Sequence, residues 1–369
     1  MADKKPHLLR IHPPLTGQRM DVHLIDQDAI TVGRGADCGL AIDAHGISGL
    51  HCSLQRTGVM GRLRVVDLGS RNGTFVNGWR VPEGGATCAP ESLLRIGDAL
   101  FIYRDLTEEE GTASQLPPLP GPVNTRHRPL VDAVERIEEY RTSGGPIWLA
   151  GPPGCGRSVL HKHLERLGDE AVWMLESDES TVVFDIRACD TPPPEALEPR
   201  VVVFPPLRDR IEDLSVLIRS LCEPRKVHFA PRMLEAIHLY DWPGNIRELR
   251  IMVERAFHPV WGSMPGAAWD LAQFPDIAHY LDHRPKPTDD FLPRSVPYKD
   301  PSSKAMPESV TSTQLRQHME SNRWTLFASA ASLGVSRADL VEALAGAGIR
   351  GPAQGLPGNA PGQAPPGIA

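Results

Sequence analysis

The sequence predicts a multidomain protein with an N-terminal β-sandwich, a central α/β region and a C-terminal all-α unit. Residues 8–104 contain closely spaced short strands separated by turns, which is typical of a sandwich or barrel. Residues 126–262 alternate apolar strands with helical periodicity, and residues 312–350 return to a helical pattern. A length of 369 residues also exceeds that of one ordinary domain.

The predicted sandwich is organised around one loop and hairpin at residues 67–78. Asn77-Gly78 lies between apolar residues and favours a two-residue hairpin, because both turn positions need positive φ. The polar, glycine-rich run 69–74 before it is predicted to be a longer loop, and loops often carry function. The candidate strands of this part are residues 8–11, 22–25, 29–32, 63–66 and 93–103.

The central region is predicted to begin with a helix whose apolar residues recur every three positions, at Val131, Val134, Ile137 and Tyr140. Asn245 is predicted to be the N-cap of a later helix, with Leu249 and Val253 on its inner side. The other predicted elements are strands at 146–150, 181–186 and 201–204, a helix to about Leu167, a helix carrying Ile211 to Leu221, and a helix beginning near Pro231.

Linkers are predicted between these parts. Residues 105–125 include a proline-rich run that favours extended polyproline. Residues 263–311 combine prolines with mixed charges over 283–310, which indicates a second linker. Residues 351–369 have five glycines, five prolines and no charged side chain, which predicts a disordered tail.

Composition limits the classes of partner. The chain has 46 acidic and 39 basic residues, a formal charge of −7, which argues against broad attraction to nucleic acid or to an anionic membrane. The first residues lack the apolar core of a signal peptide, and no apolar run approaches a membrane span. Six scattered cysteines without a Cys-x-x-Cys pair are typical of buried thiols in a reducing cytoplasm.

Gly33-Arg34, Ser48-Gly49-Leu50-His51 and the run 67–78 occur in the order found in the forkhead-associated (FHA) domain, which the first quarter of the chain resembles. That domain is a β-sandwich that reads phosphothreonine peptides. The resemblance implies that Arg34 and Ser48 hold the phosphate and that Asn72 holds the peptide backbone. Arg71 is a candidate for a second basic contact, and His51 is interpreted as a structural tie between loops. Because Gly49 replaces a basic residue of many members, a sandwich that no longer binds phosphate is the alternative.

A second glycine-rich motif follows the predicted strand at 146–150. Its spacing is that of a phosphate-binding loop, except that arginine replaces the usual lysine. Backbone N–H groups at the helix N-terminus could still cradle a phosphate, but a guanidinium does not replace the compact ammonium cleanly. The sequence therefore predicts weak binding of ATP and Mg²⁺ at most. The candidate residues are Gly151, Gly154, Gly156, Arg157 and Ser158.

Residues 204–214 and 240–249 closely resemble the end of the AAA+ ATPase domain of bacterial sigma-54-dependent activators. The resemblance implies a shortened AAA+ remnant with a helical lid over 126–262, in which Arg247 senses the terminal phosphate. A helix-surface role for Arg247 is the alternative. Only 46 residues separate Ser158 from Pro205, too few for the family's catalytic and sigma-contacting elements. Asp185 is interpreted as structural because Ile186 follows it, so no catalytic residue and no ATPase activity are predicted.

Residues 313–349 resemble the Fis-type helix-turn-helix that ends many such activators, with residues 330–337 matching the turn. Ser336 and Arg337 are therefore candidate DNA contacts. Residues 312–350 contain four arginines and three acidic residues, a net charge of +1. DNA binding by this unit is therefore expected to be weak. A dimerisation or docking unit is the alternative.

The sequence thus predicts a bacterial, cytoplasmic, phosphothreonine-reading regulator without ATPase activity or a metal site. The candidate partners are a phosphothreonine-containing protein, such as a Ser/Thr kinase or its substrate, sigma-54 RNA polymerase or related activators, and DNA; no membrane is expected. Two alternatives stay open. One is a signalling adaptor that never contacts DNA, and the other is an ATP-dependent sigma-54 activator.

Overall fold

The structure is a computed structural model, and it describes residues 4–12, 21–59, 61–112, 123–143, 147–167, 172–176, 200–225, 227–258, 268–284, 287, 306 and 310–352. The chain divides into two compact units. The first comprises residues 1–117, 229–240 and 279–298, and the second comprises residues 118–228, 241–278 and 299–369.

The strands are β1 (Lys5–His12), β2 (Asp21–Leu24), β3 (Ala29–Gly33), β4 (Leu40–Ala41), β5 (Cys52–Arg56), β6 (Leu63–Asp67), β7 (Thr74–Val76), β8 (Trp79–Arg80), β9 (Ala86–Cys88), β10 (Leu93–Ile96), β11 (Ala99–Leu106), β12 (Ile147–Gly151), β13 (Val172–Glu176) and β14 (Arg200–Val203). The helices are α1 (Glu108–Thr112), α2 (Arg128–Glu135), α3 (Ile137–Thr142), α4 (Arg157–Arg166), α5 (Leu214–Cys222), α6 (Pro231–Leu239), α7 (Asn245–Ala256), α8 (Pro275–Asp282), α9 (Ser312–Ser321), α10 (Leu326–Leu333) and α11 (Arg337–Gly346).

The first unit contains the predicted sandwich. One sheet has the strand order β2-β1-β11-β10-β7-β8, and the other has the order β4-β3-β5-β6-β9. Apolar side chains from both sheets form one core, which includes Leu8, Val32, Leu54 and Phe101. This burial of one face per sheet is what holds two sheets together.

The hairpin at Asn77-Gly78 is confirmed. Val76 pairs with Trp79, and Asn77 and Gly78 have φ of +50° and +81°, as a two-residue turn requires. The Asn77 amide also bonds the Ser92 hydroxyl at 3.1 Å and accepts the Leu93 backbone N–H at 2.8 Å. The turn is therefore tied to the start of β10. The single run predicted at 93–103 is instead a hairpin of β10 and β11, because Gly97 turns the chain at φ +60°.

The first unit also contains α6, which carries a buried carboxylate to the sandwich. Glu235 Oε2 accepts a 2.9 Å hydrogen bond from Arg95 Nε, and both side chains are under a tenth exposed. The same guanidinium donates to the Gly97 carbonyl and lies 3.7 Å from the centre of the Phe75 ring. Charge pairing and aromatic contact together accommodate a buried arginine on β10.

The second unit contains a parallel sheet of order β13-β12-β14, whose middle strand is buried at every residue. Such burial on both faces is typical of a parallel sheet covered by helices. Leu130 and Val134 of α2 and Leu160 and Leu164 of α4 pack with Leu149 in its core. The helix predicted through Val131 and Tyr140 is two helices, because the backbone at Arg136 opens to ψ −11° between α2 and α3.

Several boundaries differ from the sequence predictions. The N-cap of α7 is Gly244 rather than Asn245, whose side chain bonds other segments instead of the helix N-terminus. The segment assigned to the second linker contains α8, in which Ile277 and Tyr280 are buried. The strand predicted at 181–186 and most of the predicted tail lie outside the described residues.

The C-terminal helices form as predicted. Thr311 and Gln314 make a reciprocal capping box at the start of α9. Gly334 ends α10 with φ +71°, which supplies the tight turn before α11. Met319, Trp324, Leu326, Leu340 and Leu344 are buried, so the three helices share apolar contacts.

Candidate functional site

Three loops at one edge of the sandwich bring the predicted phosphopeptide residues together. The Arg34 backbone N–H donates to the Ser48 carbonyl at 2.8 Å, and the Arg71 backbone N–H donates to the Ser48 hydroxyl at 3.1 Å. Asn72 Nδ2 donates to the Gly46 carbonyl at 2.9 Å. The loop after β3, the segment before β5 and the β6–β7 loop therefore form one continuous edge.

Close backbone approach at this edge requires glycine at position 33. A Cβ on Gly33 would lie 2.2 Å from the Gly49 carbonyl oxygen, a distance that side chains do not tolerate. Gly35 donates to the same oxygen at 2.8 Å. A Cβ on Gly49 itself would contact nothing within 4 Å, so the basic residue missing here would point into open space.

His51 ties two of the loops together. Its Nδ1 accepts the Ser48 backbone N–H at 3.0 Å, so Nε2 carries the hydrogen that it donates to the Gly73 carbonyl at 3.2 Å. The ring is fully buried, and this burial lowers its pKa, although the Gly73 hydrogen bond and Asp67 act in the opposite direction. The geometry agrees with the interpretation of His51 as a structural residue.

Asp67, which the sequence analysis did not single out, orders the β6–β7 loop. Its carboxylate accepts two backbone N–H groups, from Gly69 and Ser70, and the hydroxyls of Ser70 and Thr74 at 2.6 Å. Burial opposes ionisation, but these hydrogen bonds hold the pKa of Asp67 below its usual value. Aspartate side chains often accept the backbone N–H two residues further on, and Asp67 stands two residues before Gly69-Ser70, so the sequence could have revealed this role.

The edge presents groups suited to a phosphate dianion. Arg34, Arg71 and Asn72 are exposed, and the Ser48 hydroxyl accepts one hydrogen bond while keeping its own hydrogen to donate. Asp98, hydrogen-bonded to His45 at 2.6 Å, lies beside Gly46 and adds a negative charge near Asn72. A ligand that places its anion near Arg34 avoids this carboxylate.

The predicted phosphate loop joins β12 to α4. Gly154 and Gly156 have φ of +75° and +108°, and a Cβ on Gly151 would lie 2.3 Å from the Phe204 carbonyl oxygen. These positions therefore need glycine. Arg157, at the first turn of α4, is buried and hydrogen-bonds the Cys155 thiol. Ser158 is half-buried and lines the adjoining cavity.

The start of α7 is fastened to this loop. Asn245 Nδ2 donates to the Pro153 carbonyl at 2.9 Å, and the Ile246 backbone N–H donates to the Gly154 carbonyl at 3.0 Å. Asn245 Oδ1 accepts the Leu207 backbone N–H at 2.8 Å. Arg247 follows in the chain, and its side chain lies against Gly154 of the loop.

A cavity of about 500 Å³ adjoins the loop, which is within the size range of small-ligand sites. Its described lining residues include no aspartate or glutamate. The cationic side chains among them are Arg157, Lys162, Arg210, Arg247, Arg250 and Arg350. The cavity therefore favours an anionic ligand.

Glu254 lies close to two of these cations without lining the cavity. It is 4% exposed, and burial raises its pKa to about 7, although Arg250 and Arg350 act in the opposite direction. A carboxyl with a raised folded-state pKa contributes most stability below its unfolded pKa of about 4.5 and loses that contribution as the pH rises through about 7.

We expect Glu254→Gln to flatten this part of the pH dependence. At pH 8 the variant should be more stable than the wild type by up to about 3 kcal/mol, and at pH 4 the two should be equal. Urea unfolding between pH 4 and 8 measures the difference, with the exposed Glu135→Gln as the matched control. An unchanged difference across this range would contradict the expectation.

The two candidate DNA contacts are engaged within the second unit. The Ser336 hydroxyl caps α11 by accepting the Asp339 backbone N–H at 3.1 Å and donates to the Asp339 carboxylate at 2.6 Å. Arg337 is 2% exposed, and its guanidinium donates to Asp241 at 3.4 Å. In this conformation neither side chain is presented to DNA. Asp185 lies outside the described residues.

Two protein families match parts of the chain. Residues 30–100 match the FHA domain, and residues 208–267 match the AAA+ ATPase lid domain. An FHA domain solved in work on phosphothreonine-dependent interactions is 24% identical, covering 27% of this chain and 95% of that one, with a TM-score of 0.24. In the part of the chain that the structure describes, every helix is too short or too polar to cross a membrane.

Several curated proteins are similar to parts of the chain that range from 59 to 160 residues. A limonene hydroxylase of Geobacillus stearothermophilus is 43% identical over 62 residues, covering 15% of this chain and 11% of that protein. The acetoin catabolism regulatory protein of Cupriavidus necator is 31% identical over 160 residues, covering 40% and 22%. The C4-dicarboxylate transport transcriptional regulatory protein DctD of Pseudomonas aeruginosa is 42% identical over 59 residues, covering 14% and 13%.

The chain thus spans between 11% and 22% of the length of these three proteins. The match to the FHA domain agrees with the sandwich, and the match to the lid domain agrees with the helices that follow residue 208. The similarity to a regulatory protein is consistent with both. The chain is an FHA-domain-containing relative of sigma-54-dependent regulators, with an AAA+ lid domain following its FHA domain.

Proposed function

We propose that this protein is a cytoplasmic regulator that reads phosphothreonine peptides and does not hydrolyse ATP. The observation that carries the proposal is the continuous loop edge on which Arg34, Ser48, Arg71 and Asn72 meet. Its phosphorylated partner is a Ser/Thr kinase or a kinase substrate, and sigma-54 RNA polymerase or related activators are the further partners.

Each group has a distinct role in this proposal. The planar Arg34 guanidinium donates two parallel hydrogen bonds to two phosphate oxygens, and the Ser48 hydroxyl donates a hydrogen bond to a third oxygen. The Arg71 side chain supplies a second positive charge, which offsets the missing basic residue at Gly49. Asn72, oriented by its bond to Gly46, holds the peptide backbone.

The direct test is a titration of the full chain with a phosphothreonine peptide library. Binding of phosphothreonine peptides, with much weaker binding of their unphosphorylated and phosphoserine forms, is the expected result. Equal affinity for phosphorylated and unphosphorylated peptides would remove the proposal.

We also expect the purified protein to turn over ATP no faster than background with Mg²⁺ present. Arg157 occupies the lysine position but is buried against Cys155, so it is poorly placed to follow charge on a transferred phosphoryl group. Phosphate release measured with the wild type and Ser158→Ala checks this. Mg²⁺-dependent turnover that is lost in Ser158→Ala would restore the activator alternative.

A second candidate function is an adaptor that docks to a phosphorylated partner without contacting DNA. The burial of Arg337 and the capping role of Ser336 favour it, because neither side chain is presented to DNA. Retardation of promoter fragments at physiological salt separates the two functions, because a regulator of this type retards specific fragments and an adaptor retards none.

A further inference from the structure

Part of the matched lid domain lies against the FHA sandwich. Helix α6 falls within residues 208–267, which match the lid, yet it belongs to the same compact unit as the sandwich. Leu239 of α6 lies so close to the hairpin turn that a Cβ on Gly78 would be 2.7 Å from its Cδ1. Arg284, further along the chain, donates to the Asn77 carbonyl at 2.7 Å. Two segments outside the sandwich therefore contact the hairpin that follows the β6–β7 loop.

Arg95 connects α6 to the sheet strand that leads to the peptide-binding edge. Its Nε donates to Glu235 Oε2 at 2.9 Å, and its Nη1 donates to the Gly97 carbonyl at 3.1 Å. Arg95 and Glu235 are 5% and 6% exposed, so water competes little for this pair. The guanidinium also lies 3.7 Å from the centre of the ring of Phe75, its cross-strand partner on β7. One side chain on β10 therefore contacts α6, the β10–β11 turn and β7.

Gly97 extends this contact to the edge that carries Asn72. A Cβ on Gly97 would collide with the Gly46 carbonyl oxygen, and the same oxygen accepts the hydrogen bond from Asn72 Nδ2 at 2.9 Å. The Gly97 N–H donates to the Gly73 carbonyl at 3.4 Å, and Gly73 directly follows Asn72. Both neighbours of Asn72, one in space and one in sequence, thus lie against Gly97.

The Phe75 ring provides a second route to the same loop. A Cβ on Gly73 would lie 3.1 Å from this ring, so the ring that Arg95 covers also packs beside the end of the β6–β7 loop. A loop restrained by a hydrogen-bonded turn and by a packed ring has less freedom to lose when it binds a peptide.

Glu235 keeps Arg95 in this position. A buried guanidinium without its carboxylate is an uncompensated charge, which is strongly unfavourable. Without Glu235, Arg95 is expected to turn toward water and to leave both the Gly97 carbonyl and the Phe75 ring. The restraint on the β6–β7 loop then depends on a carboxylate that the lid helix contributes.

We propose that Glu235 is a positioning residue for phosphopeptide recognition, because it holds Arg95 and so pre-organises Asn72 and the β6–β7 loop. The inference rests on the proposed function, and it names the part of the chain outside the sandwich that sets the affinity of the site. Coupling between two binding events is reciprocal, so peptide binding also strengthens the contact of α6 with the sandwich. The docking of a lid helix then depends on whether the sandwich holds a peptide.

Fluorescence anisotropy of the full chain tests the proposal, with the phosphothreonine peptide that binds tightest in the library titration as the probe. Glu235→Ala is expected to weaken binding about tenfold, which corresponds to about 1.4 kcal/mol. Glu235→Gln keeps an oxygen acceptor for Arg95 and should stay within about threefold of the wild type. Asp21→Ala is the matched control, because it removes an ion pair with Arg10 on β2, at the opposite edge of the same sheet from β8. It should bind as the wild type does.

Two affinity results would overturn the proposal. Wild-type affinity in Glu235→Ala would show that the lid carboxylate does not position the site. Equal weakening in Glu235→Gln and Glu235→Ala would assign the effect to lost charge rather than to a hydrogen bond that holds Arg95. A wild-type chain that binds no phosphothreonine peptide would remove the proposed function and this inference together, so the two failures are distinguishable.

Amide hydrogen exchange is the second readout, and a purely structural role of Glu235 would not change it. Saturating phosphothreonine peptide is expected to slow exchange over residues 231–239 up to about tenfold in the wild type, by reciprocity with the affinity effect. Exchange in Arg34→Ala should not respond to the peptide. This measurement uses the wild-type chain, so it decides the proposal even if Glu235→Ala does not fold. Exchange of α6 that stays the same or becomes faster with bound peptide would overturn it.

Discussion

Arg34→Ala is expected to abolish phosphothreonine-peptide binding while leaving the sandwich folded. The Arg34 side chain is exposed. The residue contributes to the loop edge through its backbone N–H, which donates to the Ser48 carbonyl. Truncation therefore removes the guanidinium without removing a core contact. Two charge-assisted hydrogen bonds are each worth about 1.5–3 kcal/mol, so the affinity should fall at least about a hundredfold.

Fluorescence anisotropy with a labelled phosphothreonine peptide measures this loss. Arg56→Ala is the matched control, because Arg56 is exposed at the far end of β5 and should bind as the wild type does. Arg34→Lys should recover only part of the affinity, since an ammonium lacks the planar fork. Binding by Arg34→Ala at the wild-type level would show that the phosphate is held elsewhere.

Arg210→Ala is expected to cause the largest loss of stability in the second unit. Arg210 is 2% exposed, its Nη1 lies 3.2 Å from Asp213 Oδ2, and its Nε donates to the Pro205 carbonyl at 3.0 Å. Another of its nitrogens donates to the Cys155 carbonyl at the phosphate loop. Removing it leaves a fully buried carboxylate and two carbonyls without this donor, which should cost about 3–5 kcal/mol.

Urea unfolding followed by tryptophan fluorescence tests this, since Trp148 and Trp242 are buried in the same unit. Arg208→Ala is the control from the same segment. Its side chain is 41% exposed and 3.9 Å from an equally exposed Asp209, so the cost should stay below about 1 kcal/mol. Similar midpoints for the two variants would mean that the buried pair contributes little.

Local signals were sufficient to predict the loop edge and the hairpin. Asn77-Gly78 turns the chain by its own conformational preference, and the same holds for Gly334 before α11. Arg34 and Asn72 could be named because each lies in a short motif that resembles the FHA domain, and the resemblance implies their roles. The contact of Arg71 with Ser48 could not be named, because it is made by the backbone N–H rather than by the side chain.

Tertiary contacts explain why the structure differs from the sequence predictions at Asn245, Arg337 and α8. Asn245 has the residue type of an N-cap, but its amide is used by the Pro153 carbonyl and the Leu207 N–H, which are distant in sequence. Arg337 has the position of a DNA contact, but Asp241 pairs with it in a buried setting that no local pattern reveals. Helix α8 was missed because prolines and charges surround it, while Phe274, Ile277 and Tyr280 anchor it by burial.

The three hydrogen bonds around Asn245 and Ile246 determine how the cavity can open. The amide of Asn245 acts as donor to one segment and acceptor from another, and Ile246 adds a backbone bond to the loop. Helix α7 therefore cannot move away from the phosphate loop without breaking two of these bonds, and it cannot move away from Leu207 without breaking the third.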